Sequence, residues 1–346
     1  MHNFKAIILA GGSGERFWPL STPEKPKQFL RVFGGESLIR QSVSRLKGLV
    51  CPEDVFVITS KALVAATRKE LPEIPKANII GEPMRRDTGA AVALGVGVAS
   101  CAALTSGEDT ASPLTRDVIL GFFPSDQLVA KPVAFRKAVG EAIKRAKAKD
   151  AIVTLGIKPT FPATGYGYVD PKSGRFVEKP NVAKAKAYLK KGYLWNAGMF
   201  IASAATFRGA FAAHAPELEP LFSPGAVRRL ARIYPALPKI SFDYAVMEKY
   251  PAVAVVPGDF GWDDVGSYGA FDRYFPHDAA GNVREGPCTV VQSEGNVCVA
   301  RAARISLLGV KNLVVVTTGD YVLVADKSCL NDMKKVVKKV EGLEKV

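Results

Sequence analysis

The chain has 346 residues, 48% hydrophobic and 23% charged, which is long enough for one large core and a small second domain. Its formal net charge of +14 invites a polynucleotide partner, yet the basic residues are spread over segments such as Arg136–Lys149 and Lys334–Lys339 without aromatic interleaving, so a solvated surface that attracts small anions is expected and no nucleic acid. Five scattered cysteines (Cys51, Cys101, Cys288, Cys298, Cys329) and three isolated histidines (His2, His214, His277) argue against a disulfide framework, a zinc site and a histidine triad. The longest apolar stretch, Ala90–Leu104, is broken by glycines and too short to span a bilayer, and no signal-peptide pattern opens the chain; a cytoplasmic protein without a membrane partner is expected.

Up to about Ile157, short apolar runs alternate with segments of helical period. Ala6–Leu9, Val55–Thr59, Ala77–Ile80, Val118–Phe123 and Ala151–Leu155 read as strands; Ser37–Leu46, Lys61–Leu71, Thr88–Leu104 and Pro132–Lys147 read as helices. That alternation implies right-handed crossovers and a Rossmann-like, mostly parallel α/β sheet covered on both faces, with ligands beyond the carboxyl ends of the strands. Ser106–Arg116 reads as an exposed loop insertion. Pro159 to about Tyr274 is more irregular, with hairpin-like segments around Gly165–Val169 and Arg175–Val177 and helices near Val182–Lys191, Ala204–His214 and Pro224–Tyr234. After His277, β-like runs follow closely: Gly281-Asn282, Thr289–Gln292, Asn296–Ala300, Arg304–Leu308, Leu313–Thr317 and Tyr321–Ala325. They predict a small all-β appendage at 278–346 behind a larger domain at 1–277. A closing helix over Leu330–Val340 carries Met333, Val336, Val337 and Val340 on one face and Lys334, Lys335, Lys338 and Lys339 on the other.

The most specific local signal lies at the start. The strand Ala6–Leu9 runs into Leu9-Ala10-Gly11-Gly12-Ser13-Gly14-Glu15-Arg16, whose glycines let the backbone bend sharply and bring N–H groups onto phosphate oxygens. Arg16 offers a planar fork to phosphate, and Lys27, in Pro26-Lys27-Gln28-Phe29-Leu30, a compact charge suited to the α-phosphorus. The spacing is neither that of a P-loop nor that of the dinucleotide fingerprint. Pro124-Ser125-Asp126 also follows a strand directly, so it and the glycine loop are expected to face one pocket. Pro180 bends the chain after Glu178-Lys179 so that both side chains can point inward, and Asn196 offers both a donor and an acceptor.

The glycine loop, Gly81-Glu82-Pro83 with Arg86-Asp87-Thr88, Phe123-Pro124-Ser125-Asp126, Gly165-Tyr166-Gly167-Tyr168, Phe176-Val177-Glu178-Lys179-Pro180, Trp195-Asn196-Ala197-Gly198-Met199-Phe200, Asp243-Tyr244-Ala245-Val246-Met247-Glu248 and Gly261-Trp262-Asp263-Asp264-Val265-Gly266-Ser267 stand in one order along the chain. In these segments the sequence resembles the sugar-1-phosphate nucleotidylyltransferases, and within them the branch that uses GTP and mannose 1-phosphate. Two segments depart from the family pattern: its common Arg-Asn-Thr-Ala-Pro stands here as Arg86-Asp87-Thr88-Gly89-Ala90, and its Pro-Ala-Asp-His as Pro124-Ser125-Asp126-Gln127.

The resemblance implies a GT-A-like nucleotidyltransferase fold with a truncated left-handed β-helix at the C-terminus, a homodimer in some members, and the short form without an isomerase domain. It implies that Arg16 and Lys27 hold the triphosphate, and that Leu9, Ala10, Gly11, Gly12, Gly14, Glu82, Arg86, Asp87, Thr88 and Ser125 line the nucleotide. It assigns Asp126 and Asp264 to Mg²⁺, with Asp263 as rival for the second place. Lys179 falls to the phosphate of the sugar substrate, and Gly165, Glu178 and Asn196 to the hexose. Two other readings stay open: UTP or dTTP with glucose 1-phosphate, and a catalytically silent nucleotide-sugar binding protein.

Overall fold

In the computed structural model, which describes residues 3–12, 14–100, 118–223, 225–251 and 253–343, the first apolar run forms strand β1, Phe4–Ala10. It pairs in parallel with β2 (Val55–Ser60) on one side and with β4 (Ile119–Pro124) on the other, while β3 (Ile79–Glu82) extends the sheet beyond β2. Continuous burial along β2 and β4 explains why these strands read as unbroken apolar runs. The strand expected at Ala77–Ile80 starts at Ile79, because Lys76–Asn78 make a 3₁₀ turn whose Asn78 side chain donates to the carbonyls of Glu53 and Val55.

Beyond β4 the sheet runs through β8 (Leu194–Ser203) and β5 (Val153–Ile157) to β9 (Ala254–Gly258), giving the order β9-β5-β8-β4-β1-β2-β3. The strand β8 is antiparallel to both of its neighbours, and the short hairpin β6 (Tyr168–Val169) with β7 (Phe176–Val177) joins its edge. The sheet is therefore mostly parallel, but the region expected to be irregular contributes one of its central strands. With burial along nearly its whole length, β8 has no alternating face to betray it.

Helices Asp87–Ser100 and Pro132–Ala148 cover this sheet. The former is Ala-, Gly- and Val-rich and buried from Gly89 to Ala99, so it shows no amphipathic stripe. The continuation expected to Leu104, and the loop at Ser106–Arg116, lie outside the described residues. The helix expected over Pro224–Tyr234 is instead a 3₁₀ turn at Ala226–Arg229, one α turn at Leu230–Ile233 and a second 3₁₀ turn at Tyr234–Ala236, Pro235 preventing its continuation; Pro224 itself is outside the described residues.

The chain forms two compact units. The first comprises Met1–Gly11, Arg40–Ser125 and Val129–Trp262, and the second Gly12–Ile39, Asp126–Leu128 and Asp263–Val346. The division expected at 277 follows the chain, whereas these units do not. Among its described residues after 277, the second unit has the short strands β10 (Val283–Glu285), β11 (Cys288–Val291), β12 (Val297–Ala300), β13 (Ile305–Leu308), β14 (Leu313–Thr317) and β15 (Val322–Asp326). They alternate between two sheets, β10-β12-β14 and β11-β13, each parallel, with β15 closing antiparallel on β14. That is a β-helix-like coil.

Stacked Val283, Val297 and Val314 face its interior, and a buried asparagine ladder ties the turns. Asn282 Oδ1 accepts from the backbone N and the Nδ2 of Asn296 at 3.0 and 2.9 Å, and Asn296 Oδ1 accepts from Leu313 N at 2.9 Å. The valines share one core with Phe17, Trp18, Leu20, Leu30, Phe33 and Leu38 from the N-terminal segment. Helix Met333–Leu343 adds Met333 and Val337 to it, while Val336, expected on the same face, is 38% exposed.

Candidate active site

In the second unit, the backbone geometry of Gly14 decides where Lys27 goes. Gly14 has φ 65°, in the left-handed region, and a Cβ there would fall 2.4 Å from Lys27 Cβ, so only glycine lets the two segments meet. The lysine is 5% exposed, and its ammonium donates to Asp126 Oδ2 at 3.0 Å and to the carbonyl of Asp264 at 2.7 Å. Arg16, on the 3₁₀ turn Glu15–Phe17, places Nη2 4.0 Å from Asp264 Oδ2. Burial raises the carboxyl pKa of Asp264; the charge on Asp126 adds to this, while Lys27 and Arg16 oppose it. The four residues expected to act together are thus assembled.

Asp263 and Asp264, the two candidates for one place, differ in their partners. Asp263 accepts from Arg273 Nε and Nη2 at 2.8 and 3.0 Å, from Tyr274 Oη at 3.2 Å and from Val265 N at 2.7 Å. Its carboxylate is a structural brace, and Asp264 is the one turned to the cations. Val265, buried and β-branched, sits at φ 46°, a strained conformation just beyond Asp264.

Two carboxylates, Asp126 and Asp264, offer oxygen donors alone, which suits a hard divalent cation that keeps most of its shell for water and phosphate. The charge of Asp126 raising the pKa of Asp264 marks a place where a cation would relieve repulsion. No cluster of three or more His, Cys, Asp or Glu side chains able to hold an ion occurs among the described residues.

In the first unit, the strand ends carry the groups expected for the nucleotide. Leu9 O accepts from Ser125 N at 3.0 Å and Ala10 O from Thr59 Oγ1 at 3.0 Å, which fixes the entry to the glycine loop; Gly11 and Gly12 are exposed, and Ser13 lies outside the described residues. Glu82, at the end of β3, is buried and accepts from Tyr234 Oη at 3.0 Å. Burial pushes its carboxyl up to about 7, against the opposing hydrogen bond from Tyr234 and with help from Asp87. Arg86 donates to the carbonyls of Tyr234 and Pro235 at 2.8 and 2.7 Å, so it fastens the segment that supplies Tyr234. Asp87, at φ 63°, accepts from Thr88 N, and Thr88 Oγ1 accepts from Phe242 N at 2.9 Å.

A second group in the first unit holds the residues expected for the sugar. Lys179 Nζ donates to Glu178 Oε1 at 2.6 Å, and Glu178 N donates to Glu248 Oε1 at 2.8 Å. Burial raises the carboxyl pKa of Glu178, with Lys179 opposing and Glu248 adding. Burial pulls the Lys179 ammonium down, but its bond to Glu178 and the surrounding negative charge carry it above the usual lysine value. Asn196 Oδ1 accepts from Thr154 Oγ1 at 2.7 Å and from Gly198 N at 3.0 Å, and its Nδ2 donates to Asp243 Oδ1 at 3.1 Å. The β5–β8 pairing is irregular here, its register shifting between Thr154 and Gly156.

Residues 5–280 match the nucleotidyl transferase family and residues 286–340 the MannoseP isomerase/GMP-like beta-helix domain. The mannose-1-phosphate guanylyltransferase of Escherichia coli (strain K12) is 35% identical over 361 residues, spanning 97% of this chain and 73% of that one. The chain belongs to the mannose-1-phosphate guanylyltransferase family. Another member, mannose-1-phosphate guanylyltransferase ManC of Salmonella typhimurium, is 34% identical over 97% of this chain and 73% of its own. Among solved structures, mannose-1-phosphate geranyltransferase from Thermus thermophilus superposes with a TM-score of 0.83 at 37% identity, over 98% of this chain and 99% of that one.

For a guanylyltransferase-family chain, the residues missed by sequence reasoning are partners of those found. Asp243 steadies Asn196, Tyr234 binds Glu82, Glu248 fixes the backbone of Glu178, and Thr154 orients the Asn196 amide. Gly165, expected beside the hexose, has open space around it, whereas a Cβ on Gly167 would lie 2.6 Å from Glu178 Oε2, so the lack of a side chain at 167 is what lets this segment pack against Glu178. Tyr-Gly-Tyr at 166–168 carried that signal. Asp243 opens the segment Asp243-Tyr244-Ala245-Val246-Met247-Glu248 and lies in a π-helical turn, Asp243–Met247, a distortion common at functional sites.

Proposed function

We propose that the chain forms GDP-mannose and pyrophosphate from GTP and α-D-mannose 1-phosphate. A phosphate oxygen of the sugar substrate attacks the α-phosphorus in line, the new P–O bond forms as the bond to the β-phosphate oxygen breaks, and pyrophosphate leaves with the electron pair. Both reactants are anions, so the task is to cancel repulsion, align them and support charge on the leaving group; no protein nucleophile is required. The observation that carries the reading is the buried Lys27 ammonium fixed between Asp126 and Asp264 with Arg16 beside them.

In this reading Arg16 and Lys27 serve the triphosphate, and Leu9 to Gly14 with Ser125 supply backbone to it. Asp126 and Asp264 hold Mg²⁺, which when bound would neutralise phosphate oxygens and the departing pyrophosphate. Lys179 receives the phosphate of mannose 1-phosphate, while Glu178 and Asn196 take hexose hydroxyls. Glu82, when ionised, accepts from the N1 and N2 hydrogens of guanine and disfavours adenine, which would leave buried groups unpaired. Arg86, Asp87 and Thr88 hold the base-side segments in register. The reaction is read as cytoplasmic, and among the described residues no helix is long and apolar enough to cross a membrane.

The family relationship supports mannose and guanine over a glucose 1-phosphate enzyme using UTP or dTTP. A silent sensor would have no need of the full charged set. Pyrophosphate release is to be measured with Mg²⁺ across GTP, ATP, UTP, CTP and dTTP against mannose 1-phosphate and glucose 1-phosphate. A maximum at GTP with mannose 1-phosphate is expected; a maximum elsewhere overturns the substrates, and silence from folded protein in every pair overturns the reaction.

A further inference from the structure

The second unit contains a cavity of about 460 Å³ that none of the roles above uses. Lys25 and Arg31 line it from the N-terminal segment and Arg301 from the turn after β12, while Leu20, Leu30 and Tyr321 give it apolar and aromatic wall. One carboxylate, Asp320, shares the lining, so the cavity is biased towards anions. Its size suits a small organic molecule rather than a bare ion. The cations are also positioned. Arg301 is braced by Glu285 Oε1 at 3.1 Å, and Lys25 sits on a turn closed by reciprocal backbone hydrogen bonds with Thr22 at 3.1 and 3.2 Å.

We propose that this cavity is a regulatory site for a small phosphorylated metabolite. Its phosphate lies on Lys25, Arg31 and Arg301, and its uncharged body against Leu20, Leu30 and Tyr321. Occupancy reaches the catalytic cations because they share one stretch of chain with the cavity wall. Ser21, next to Leu20, donates to Gly14 O at 2.6 Å, and Gly14 is the residue packed against Lys27. Leu30 N donates to Lys27 O at 3.0 Å. Tyr321 packs edge-on against Trp18 with ring centroids 5.0 Å apart, and the Phe17 and Trp18 carbonyls, adjoining Arg16, both accept from Tyr268 Oη. A ligand that shifts Leu20, Leu30 or Tyr321 therefore shifts Arg16 or Lys27.

The binding claim is independent of the reaction proposed above; the regulatory claim rests on the roles given there to Arg16 and Lys27. Binding to the full chain is measured by calorimetry with glucose 6-phosphate, uridine monophosphate and inorganic phosphate, and turnover is measured separately with each present. The sugar phosphate and the nucleotide distinguish the two sources of the same phosphomonoester. At least one organic probe is expected to bind and to change kcat or the KM for GTP by about fivefold. The Lys25→Gln/Arg301→Gln protein should keep basal turnover, bind about tenfold more weakly and lose the kinetic shift. Arg31→Gln is a second variant should the double one fail to fold, and Lys179→Ala should still bind glucose 6-phosphate, which separates this cavity from the sugar substrate's site. No binding by either organic probe, equal affinity in wild type and cavity variants, or binding that leaves turnover unmoved would each overturn the proposal. Absence of turnover with every substrate pair would instead retire the reaction and leave the calorimetry to judge binding.

Discussion

Asp263 and Asp264 are chain neighbours with different partners, and substitution should separate the roles proposed for them. Asp264→Asn is expected to lower turnover by roughly 10²–10³-fold while leaving the melting temperature unchanged or slightly raised, because burial already disfavours its charge. Asp263→Asn loses its bonds to Arg273 and Tyr274 and should instead destabilise the fold by about 1–3 kcal/mol. Thermal melts and pyrophosphate release on the same preparations check both; a reversed pattern would exchange their roles. Glu82 gives a second test through pH. Its carboxyl moves from 4.5 to about 7 on folding, so between those values the folded chain keeps a proton that the unfolded chain releases. The stability this contributes is full below 4.5 and lost as pH rises through about 7. Wild-type melting temperature should fall across that interval and fall less in Glu82→Gln, while the KM for GTP should drop as the carboxylate forms, a trend absent from the variant. At this scale Arg16, Lys27 and the aspartates were legible as candidates, since each sits in a short local pattern. It did not show Tyr234 behind Glu82 or Asp243 behind Asn196, partners separated by 152 and 47 residues.

Secondary-structure elements were legible where one face stays polar or where β-branched runs are bounded by turns. The helix at Pro132–Ala148 and the strands β1 and β2 follow their patterns to within a residue or two. The strand β8 does not, because burial erases alternation and because Asn196 and a left-handed Gly198 interrupt its apolar run. In the β-helix-like coil, the repeated Gly-Asn-Val at 281–283 and 295–297 was the available signal, and its meaning is the asparagine ladder. Each asparagine amide supplies what the backbone of the next turn lacks. Asn296→Ala would strand Leu313 N–H and leave Asn282 Oδ1 with the backbone N–H of position 296 alone and Val310 O with that of Glu294 alone, and is expected to cost about 1–3 kcal/mol. Denaturant melts test this; a loss no greater than that of a surface alanine substitution would show that water replaces the ladder.

For the whole molecule, the net charge of +14 is the property to test first in solution. If the basic surface gathers small anions rather than polynucleotides, kcat/KM for GTP should decline roughly 3- to 10-fold between low and high salt, with kcat much less affected. Salt-insensitive kcat/KM would confine electrostatics to the site itself. Composition made that expectation available, but it could not reveal how the chain returns on itself. Phe17, Trp18 and Leu30 fill the same interior as Val283, Val297 and Val314, although they stand at opposite ends of the sequence. Recombination between related genes that cuts near residue 277 would deliver a coil without the side chains that complete it. The two stretches are therefore expected to be inherited as a pair, with substitutions in one followed in descent by compensating changes in the other. A chimera should keep its parent's stability only when residues 17–38 come from the donor of the coil.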